Sequence, residues 1–225
     1  MNKREFVASA LAAGLLVPGG VGGLIGRAMA QGQVKALGIH RFRGQVFVNG
    51  QPAKAGTPVK PGDTVSTGPK SYATFTVGDD AFLVRGDTKL ELGGTGPLVS
   101  LARVITGKLL SVYSSGRQRE IKGTTATIGI RGTGAYIEVS AERNYFCLCY
   151  GTAEIVPVAD PKAAEVVNTI HHDAPRFIYP AGKPKIIEPA PVINHKDEEL
   201  ILLESLVGRV PPFVNTDEYK SGVRY

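Results

Sequence analysis

Between Ile39 and Val158 no stretch of this chain keeps apolar residues at a 3.6-residue spacing over three turns, which excludes a helical body for most of its length. Short β-type runs follow one another instead, cut by turn residues. In GQVFVNG (44–50), Val46 and Val48 share a face and Asn49-Gly50 is a tight-turn pair. TPVKPGDTVSTG (57–68) sets a Pro-Gly-Asp turn between two short strands. SYATFTVGDDAFLV alternates through Ala73, Phe75 and Val77, turns at Gly78-Asp79-Asp80, and resumes through Phe82 and Val84. VITGKLLSVY, REIKGTTATIGIRGTGAYIEVS and NYFCLCYGTAEIVPV close the series. The expectation is an all-β body: a β-roll or solenoid-like coil, or a β-sandwich.

Residues 159–191 have a different texture. Five prolines between 175 and 191 predict an extended strap over the domain surface. In NHKDEELILLESLVGR, Asn194 can cap, Asp197, Glu198 and Glu199 suit a first turn, and Leu200, Leu203 and Val207 form an apolar stripe. Gly208 and Pro211-Pro212 end this one short amphipathic helix, and the tail from Val214 is polar.

The first thirty residues form a segment of their own. Lys3 and Arg4 precede an apolar, glycine-rich run from Phe6 to Ile25, and Ala28-Met29-Ala30 offers a cleavage site before Gln31. That is the layout of a secretory signal at residues 1–30 and predicts a periplasmic or otherwise exported mature chain with no transmembrane span. The stretch Lys-Arg-Glu-Phe-Val, with Arg27 before the cut, resembles a twin-arginine signal, the general secretory route being the alternative. The resemblance implies export of a folded chain, often with a metal or cofactor already in place.

The net charge is +6; three cations and one anion fall in the signal segment, leaving +4 for the rest. The basic residues are scattered and the chain has no Trp, which argues against a nucleic-acid partner.

The strands carry a family likeness. GQVFVNG followed by GTPVKPGDTVSTG resembles the opening of a FecR domain, G-x-V-x-V-N-G and then G-x-x-V-x-x-G-D-x-V-x-T-G. SYATFTVGDDAFLV, LLSVY and TATIGIRGT are similar to the remainder in the same order, with Gly129, Arg131, Gly132 and Thr133 in the most specific piece. The likeness spans residues 40–158 and leaves strap, helix and tail at 159–225. It implies a non-catalytic, extracytoplasmic domain that senses or relays a signal through a protein partner in the cell envelope. Regulators of this type carry a cytoplasmic helical domain and a membrane span ahead of the FecR domain. Only some thirty residues, read as a signal, precede it here, so direct anti-sigma action is not implied. Within TATIGIRGT, Ile128 and Ile130 should face the core, while Thr127, Gly129 and Arg131 face away. Gly129 would permit close backbone approach, and Arg131 would bond turn carbonyls or a carboxylate, or meet a partner.

FCLCYG (146–151) holds the only two cysteines, Cys147 and Cys149. Residues i and i+2 of a strand have Cα atoms about 6.5–7 Å apart and point to one side, too far for the roughly 3.8 Å Cβ separation a disulfide prefers. Phe146, Leu148 and Tyr150 should occupy the core-facing side, which puts the cysteines on the outer one unless the strand is buried on both. Two readings remain open: inert packing, and a pair of soft ligands for one zinc, copper or iron ion. Three of the four histidines, His171, His172 and His195, lie downstream in the strap and helix start. The set would be Cys₂His₂ or Cys₂His: adjacent His171 and His172 would point opposite ways in extended chain, so one of them would ligate, with His195 completing the set. The alternative function to a FecR-like relay is thus a small metal-binding or redox protein. The chain has no G-x-S-x-G, H-E-x-x-H or phosphate loop, and a Cys149–His172 nucleophile pair is the one enzymatic arrangement left. The expectation is no enzyme activity. Asp63, Asp79 and Asp80 fall at turns, where Asp commonly stabilises backbone.

Overall fold

Alternating apolar residues and frequent turns produce fourteen strands in a computed structural model that describes residues 37–225, which form one compact unit. The signal segment expected at residues 1–30 lies outside the described residues. The first seven strands are short: β1 (Gly38–Arg43), β2 (Val46–Val48), β3 (Gln51–Pro52), β4 (Thr64–Thr67), β5 (Tyr72–Val77), β6 (Asp80–Val84) and β7 (Lys89–Thr95). Three of the next four are long: β8 (Leu98–Val112), β9 (Gln118–Lys122), β10 (Ala126–Val139) and β11 (Asn144–Pro157). Residues 159–191 then add β12 (Glu165–Thr169), β13 (Arg176–Ile178) and β14 (Ile187–Pro189) to the same sheet, so the strap is partly paired. Helices α1 (Asp197–Leu206) and α2 (Asp217–Lys220) follow.

The molecule is mostly β, with one large mixed sheet in the order β14-β13-β11-β10-β9-β8-β7-β4-β2-β3. The long strands serve two neighbourhoods each. β8 pairs with β7 and, in parallel, β9 through its first half, and with β6 and β10 through its second. β10 pairs with β9 through residues 127–131 and with β8 through residues 134–139, while β11 runs beside it throughout. Among the described residues no helix is long and apolar enough to cross a membrane.

Where β6, β8, β10 and β11 lie side by side, the sheet is buried on both faces. Phe82, Val84, Leu109, Ala135, Ile137, Phe146 and Leu148 enter the main core. Their alternates Ala81, Leu83, Leu110, Tyr136, Tyr145, Cys147 and Cys149 enter a second core with Leu200, Leu203, Val207 and Phe213. The apolar stripe read along the helix is therefore what covers the outer face.

Two local readings need correction. Tyr150 lies in the second core, on the cysteines' side and not with Phe146 and Leu148. The cause is a β-bulge: Ala135 pairs with Leu148 and Gly134 with Tyr150, leaving Cys149 as the extra residue and resetting the alternation. Gly134 makes this possible, since a Cβ there would lie 2.5 Å from the Tyr150 ring. Asn194 does not cap α1: it adopts φ 59° and donates to Glu138 at 2.7 Å. Lys196 occupies the cap position, and its N–H donates to the Glu199 carboxylate at 3.1 Å.

Candidate metal centre

Cys147 and Cys149 stand on β11 with their thiols in the second core, both fully buried and free. The chain returns to them twice. After β12, a turn at Ile170–Asp173 is closed by the Asp173 carboxylate, which accepts from Ile170 N–H at 2.9 Å. His172 sits in this turn at φ 57°, a left-handed conformation uncommon for a residue with a side chain. Its N–H donates to the Cys149 carbonyl at 3.0 Å, fixing the turn against β11. The second return is His195, just before α1, whose ring stacks on Tyr136 at 4.5 Å between centroids.

Four ligand atoms converge: the Cys147 and Cys149 sulfurs and one nitrogen each of His172 and His195, all within 4.8 Å of one another and all from buried residues. The His172 Nδ1 lies 3.4 Å from the Cys147 sulfur and 3.0 Å from His195 Nε2. The remaining ring nitrogens are committed. His172 Nε2 faces Asp197 Oδ1 at 3.2 Å, and His195 Nδ1 faces the Ile193 carbonyl at 2.7 Å. Both partners accept only, so both nitrogens donate, and in the neutral rings this turns the two remaining lone pairs toward each other.

A tetrahedral ion with bonds of about 2.0–2.1 Å to nitrogen and 2.3 Å to sulfur has ligand–ligand edges of about 3.3 Å for N···N and 3.6 Å for N···S. The measured pairs fall within a few tenths of an ångström of these. The carboxylate on His172 and the carbonyl on His195 are the outer partners that orient metal-bound histidines. The donor set fits one ion, and two thiolates would neutralise a divalent charge in this buried setting.

Without an ion, electrostatics favour a Cys147 thiolate beside a protonated His172 and a neutral Cys149, so binding an ion displaces protons from His172 and Cys149. Burial pushes the Cys147 thiol up, but hydrogen bonds from Cys149, His172 and His195 bring it well below its ordinary value. Burial likewise lowers His172, and the bonds to Asp197 and Cys147 outweigh it, raising the ring to about 9. Cys149 is pushed up, by burial and then by its neighbour's charge. Asp197 is lowered: burial opposes ionisation, and the bonds from His172, His171 and the Tyr225 N–H outweigh it.

His171 does not join the four. Its Nε2 meets the same Asp197 Oδ1 that faces His172, at 2.9 Å, and its ring stacks on Phe213, so the turn at His172 brings both rings to one carboxylate where extended chain would have set them opposite. The pairing of a nucleophilic thiol with His172 would fall to Cys147, not Cys149, with Asp197 behind it. Yet Cys147 is 0% exposed, and a 380 Å³ pocket lined by Lys108, Glu138, Arg143, Tyr145, Phe177 and Ile193 includes neither cysteine. Asp197 and Tyr136 were not read as site residues from the sequence; Asp197 was visible there only as a first-turn acid.

In the stretch 125–133 that resembles the FecR motif, Ile128 and Ile130 are buried and Arg131 is exposed. Among the described residues the Arg131 side chain makes no hydrogen bond or ion pair, so the expected bond to a carbonyl or carboxylate is absent; its backbone stays in the β10 ladder. Gly129 has room for a side chain, the nearest atom to a Cβ there being 3.8 Å away, whereas Gly132 requires φ 56° and abuts Ser115. Thr133 is buried beside them. Asp63 does brace its turn, accepting from Lys60 N–H and Asn49. Asp80 instead forms a fully enclosed ion pair with Arg119 at 3.0 Å.

The class defined so far is a mostly β protein with an enclosed Cys₂His₂ cluster. No family model and no curated protein matches the sequence. Among solved structures, the chain is similar to a protein described as a candidate anti-sigma factor from Parabacteroides distasonis, in two crystal structures at 1.65 and 2.50 Å resolution. The TM-score is 0.46 in both cases, with 10% and 11% identity, over 56% of this chain. The match spans 58% of that protein's length, and its score and identity are too low to assign this chain a family or a role.

Proposed function

We propose that the protein is an exported, non-catalytic β-domain protein that holds one transition-metal ion on Cys147, Cys149, His172 and His195, zinc being the ion best suited. The observation that carries this reading is the pair of imidazole nitrogens facing each other at 3.0 Å beside two buried thiols. Each ring's other nitrogen is already committed to an acceptor, so the arrangement is relieved by a metal ion or, in its absence, by a proton on His172 Nδ1. An S₂N₂ set of tetrahedral dimensions favours zinc, and the neutral charge balance favours a divalent ion over copper(I). The ion would join β11, the turn after β12 and the entry to α1, three segments far apart in sequence.

Elemental analysis of protein purified without chelator from its own host tests this. One equivalent of zinc is expected, lost in Cys147→Ser and His172→Ala. Protein that takes up no metal when both thiols titrate as free contradicts it.

A second element of the reading is a protein partner in the cell envelope, supported by the likeness of residues 40–158 to FecR domains. Arg131, exposed and unpaired within the most specific motif, is the residue to probe. A photo-crosslinker at Arg131 should capture one envelope protein that a crosslinker at Tyr72 does not. Equal labelling from both positions removes this element.

A further inference from the structure

The four ligands are closed in on unequal terms. β11 and its neighbours form the floor, Tyr136 lies under His195, and α1 with Asp197 forms one wall. Helix α1 is pinned at both ends. Arg85 binds the Glu199 carboxylate at 2.8 Å, while Arg209 binds Glu204 at 2.5 Å and the Asp79 carbonyl at 2.6 Å. Phe213 is fully buried against His171.

The remaining wall is made by residues 217–225 and is much more lightly held. Helix α2 has no fully buried residue; its half-buried Tyr219 rests on Phe213 and His171 at the edge of the second core, and Arg224 lies over Tyr219 within the same segment. The Tyr225 ring, 37% exposed, rests 5.1 Å from His172 and 4.8 Å from His171, leaving one ring between a ligand and solvent. Beyond these ring contacts the end of the segment is tied down by a two-bond pairing with Asp197. Asp197 N–H donates to the Tyr225 carbonyl at 3.1 Å, and Tyr225 N–H donates to Asp197 Oδ2 at 3.2 Å.

Asp197 therefore serves two masters through its two oxygens: Oδ1 receives the ligand His172, and Oδ2 receives Tyr225. An ion on His172 Nδ1 requires the proton on Nε2, which holds the carboxylate in the orientation that Tyr225 needs. Resting on the metal reading above, we infer that residues 217–225 are the gate of the metal site. The ion enters and leaves when this segment lifts about Thr216, and a bound ion holds the gate shut through His172 and Asp197. Opening the segment lifts Tyr219 off Phe213 and His171 but carries away no fully buried residue, the kind of local opening that precedes global unfolding.

The test follows zinc transfer from the loaded, full-length protein to an excess of chromophoric chelator. Tyr225→Ala removes the ring and keeps the backbone pairing. It should release zinc roughly ten-fold or more faster than wild type at the same stoichiometry, with Tyr225→Phe at the wild-type rate. An unchanged rate in Tyr225→Ala overturns the gate and leaves the metal site standing; wild type that retains no zinc overturns the site itself. Should Tyr225→Ala fold poorly, hydrogen exchange on wild type decides: amides of 217–225 should exchange faster in zinc-free than in zinc-loaded protein, and equal rates overturn the gate.

Discussion

Asp197 ties more of the site together than any ligand does, accepting from His171, His172 and Tyr225 at once. Asp197→Asn keeps the shape but can turn an N–H toward His172, upsetting its tautomer. Metal affinity should fall about 10–100-fold without loss of stoichiometry, measured by chelator competition; unchanged affinity would mean that Asp197 does not orient the ligand. A second residue-scale prediction concerns Asp80 and Arg119, enclosed at 3.0 Å with Ser114 completing their bonds. Removing one partner by Asp80→Ala strands a buried guanidinium and should cost about 3–5 kcal/mol in urea unfolding, whereas Asp80→Leu with Arg119→Met should recover most of that. The Cys-x-Cys and the downstream histidines could be read from the sequence as a possible ligand set because their chemistry is written in residue type. Asp197 could not, since an acid in the first turn of a helix has a sufficient local reason to be there. The same holds for Asp80, which turn chemistry alone would explain. Arg131 was the reverse case, a residue expected to be internally bonded that stands exposed.

At the scale of elements, the strands of residues 40–158 and the stripe of α1 followed directly from alternation and periodicity. The bulge at Cys149 did not, because it depends on what Gly134 allows Tyr150 to do across the sheet. Nor did the second buried face, since its residues, Ala81, Leu83, Leu110 and the cysteines, look like ordinary alternates until a helix is laid over them. That helix also contributes a pH effect. Burial raises the Glu204 carboxyl above its ordinary value, more than Tyr150 and Arg209 lower it. A carboxyl raised in the folded state contributes stability below its unfolded value and loses it as pH rises through the folded one. Glu204→Gln removes that loss, so its stability relative to wild type should increase between pH 4 and pH 7 in urea titrations at each pH. A relative stability that declines over this range would show the Arg209 pair to dominate.

At the scale of the whole molecule, the ion site would hold β11, the strap and the entry to α1 as one body. The strap was legible as extended chain from its prolines, but its pairing through β12, β13 and β14 was not, because such short strands have no period of their own. Removing the metal should lower the thermal midpoint and reloading should restore it, with the largest loss of exchange protection in residues 170–225, where both histidine ligands and the gate lie. Protection lost evenly over the sheet would place the ion's effect elsewhere. The decisive measurement is X-ray absorption at the metal edge of the protein as isolated from its host. The geometry requires two sulfur neighbours at about 2.3 Å and two nitrogen neighbours at about 2.0 Å around zinc. A shell of oxygen and nitrogen alone, or no bound metal, would contradict it.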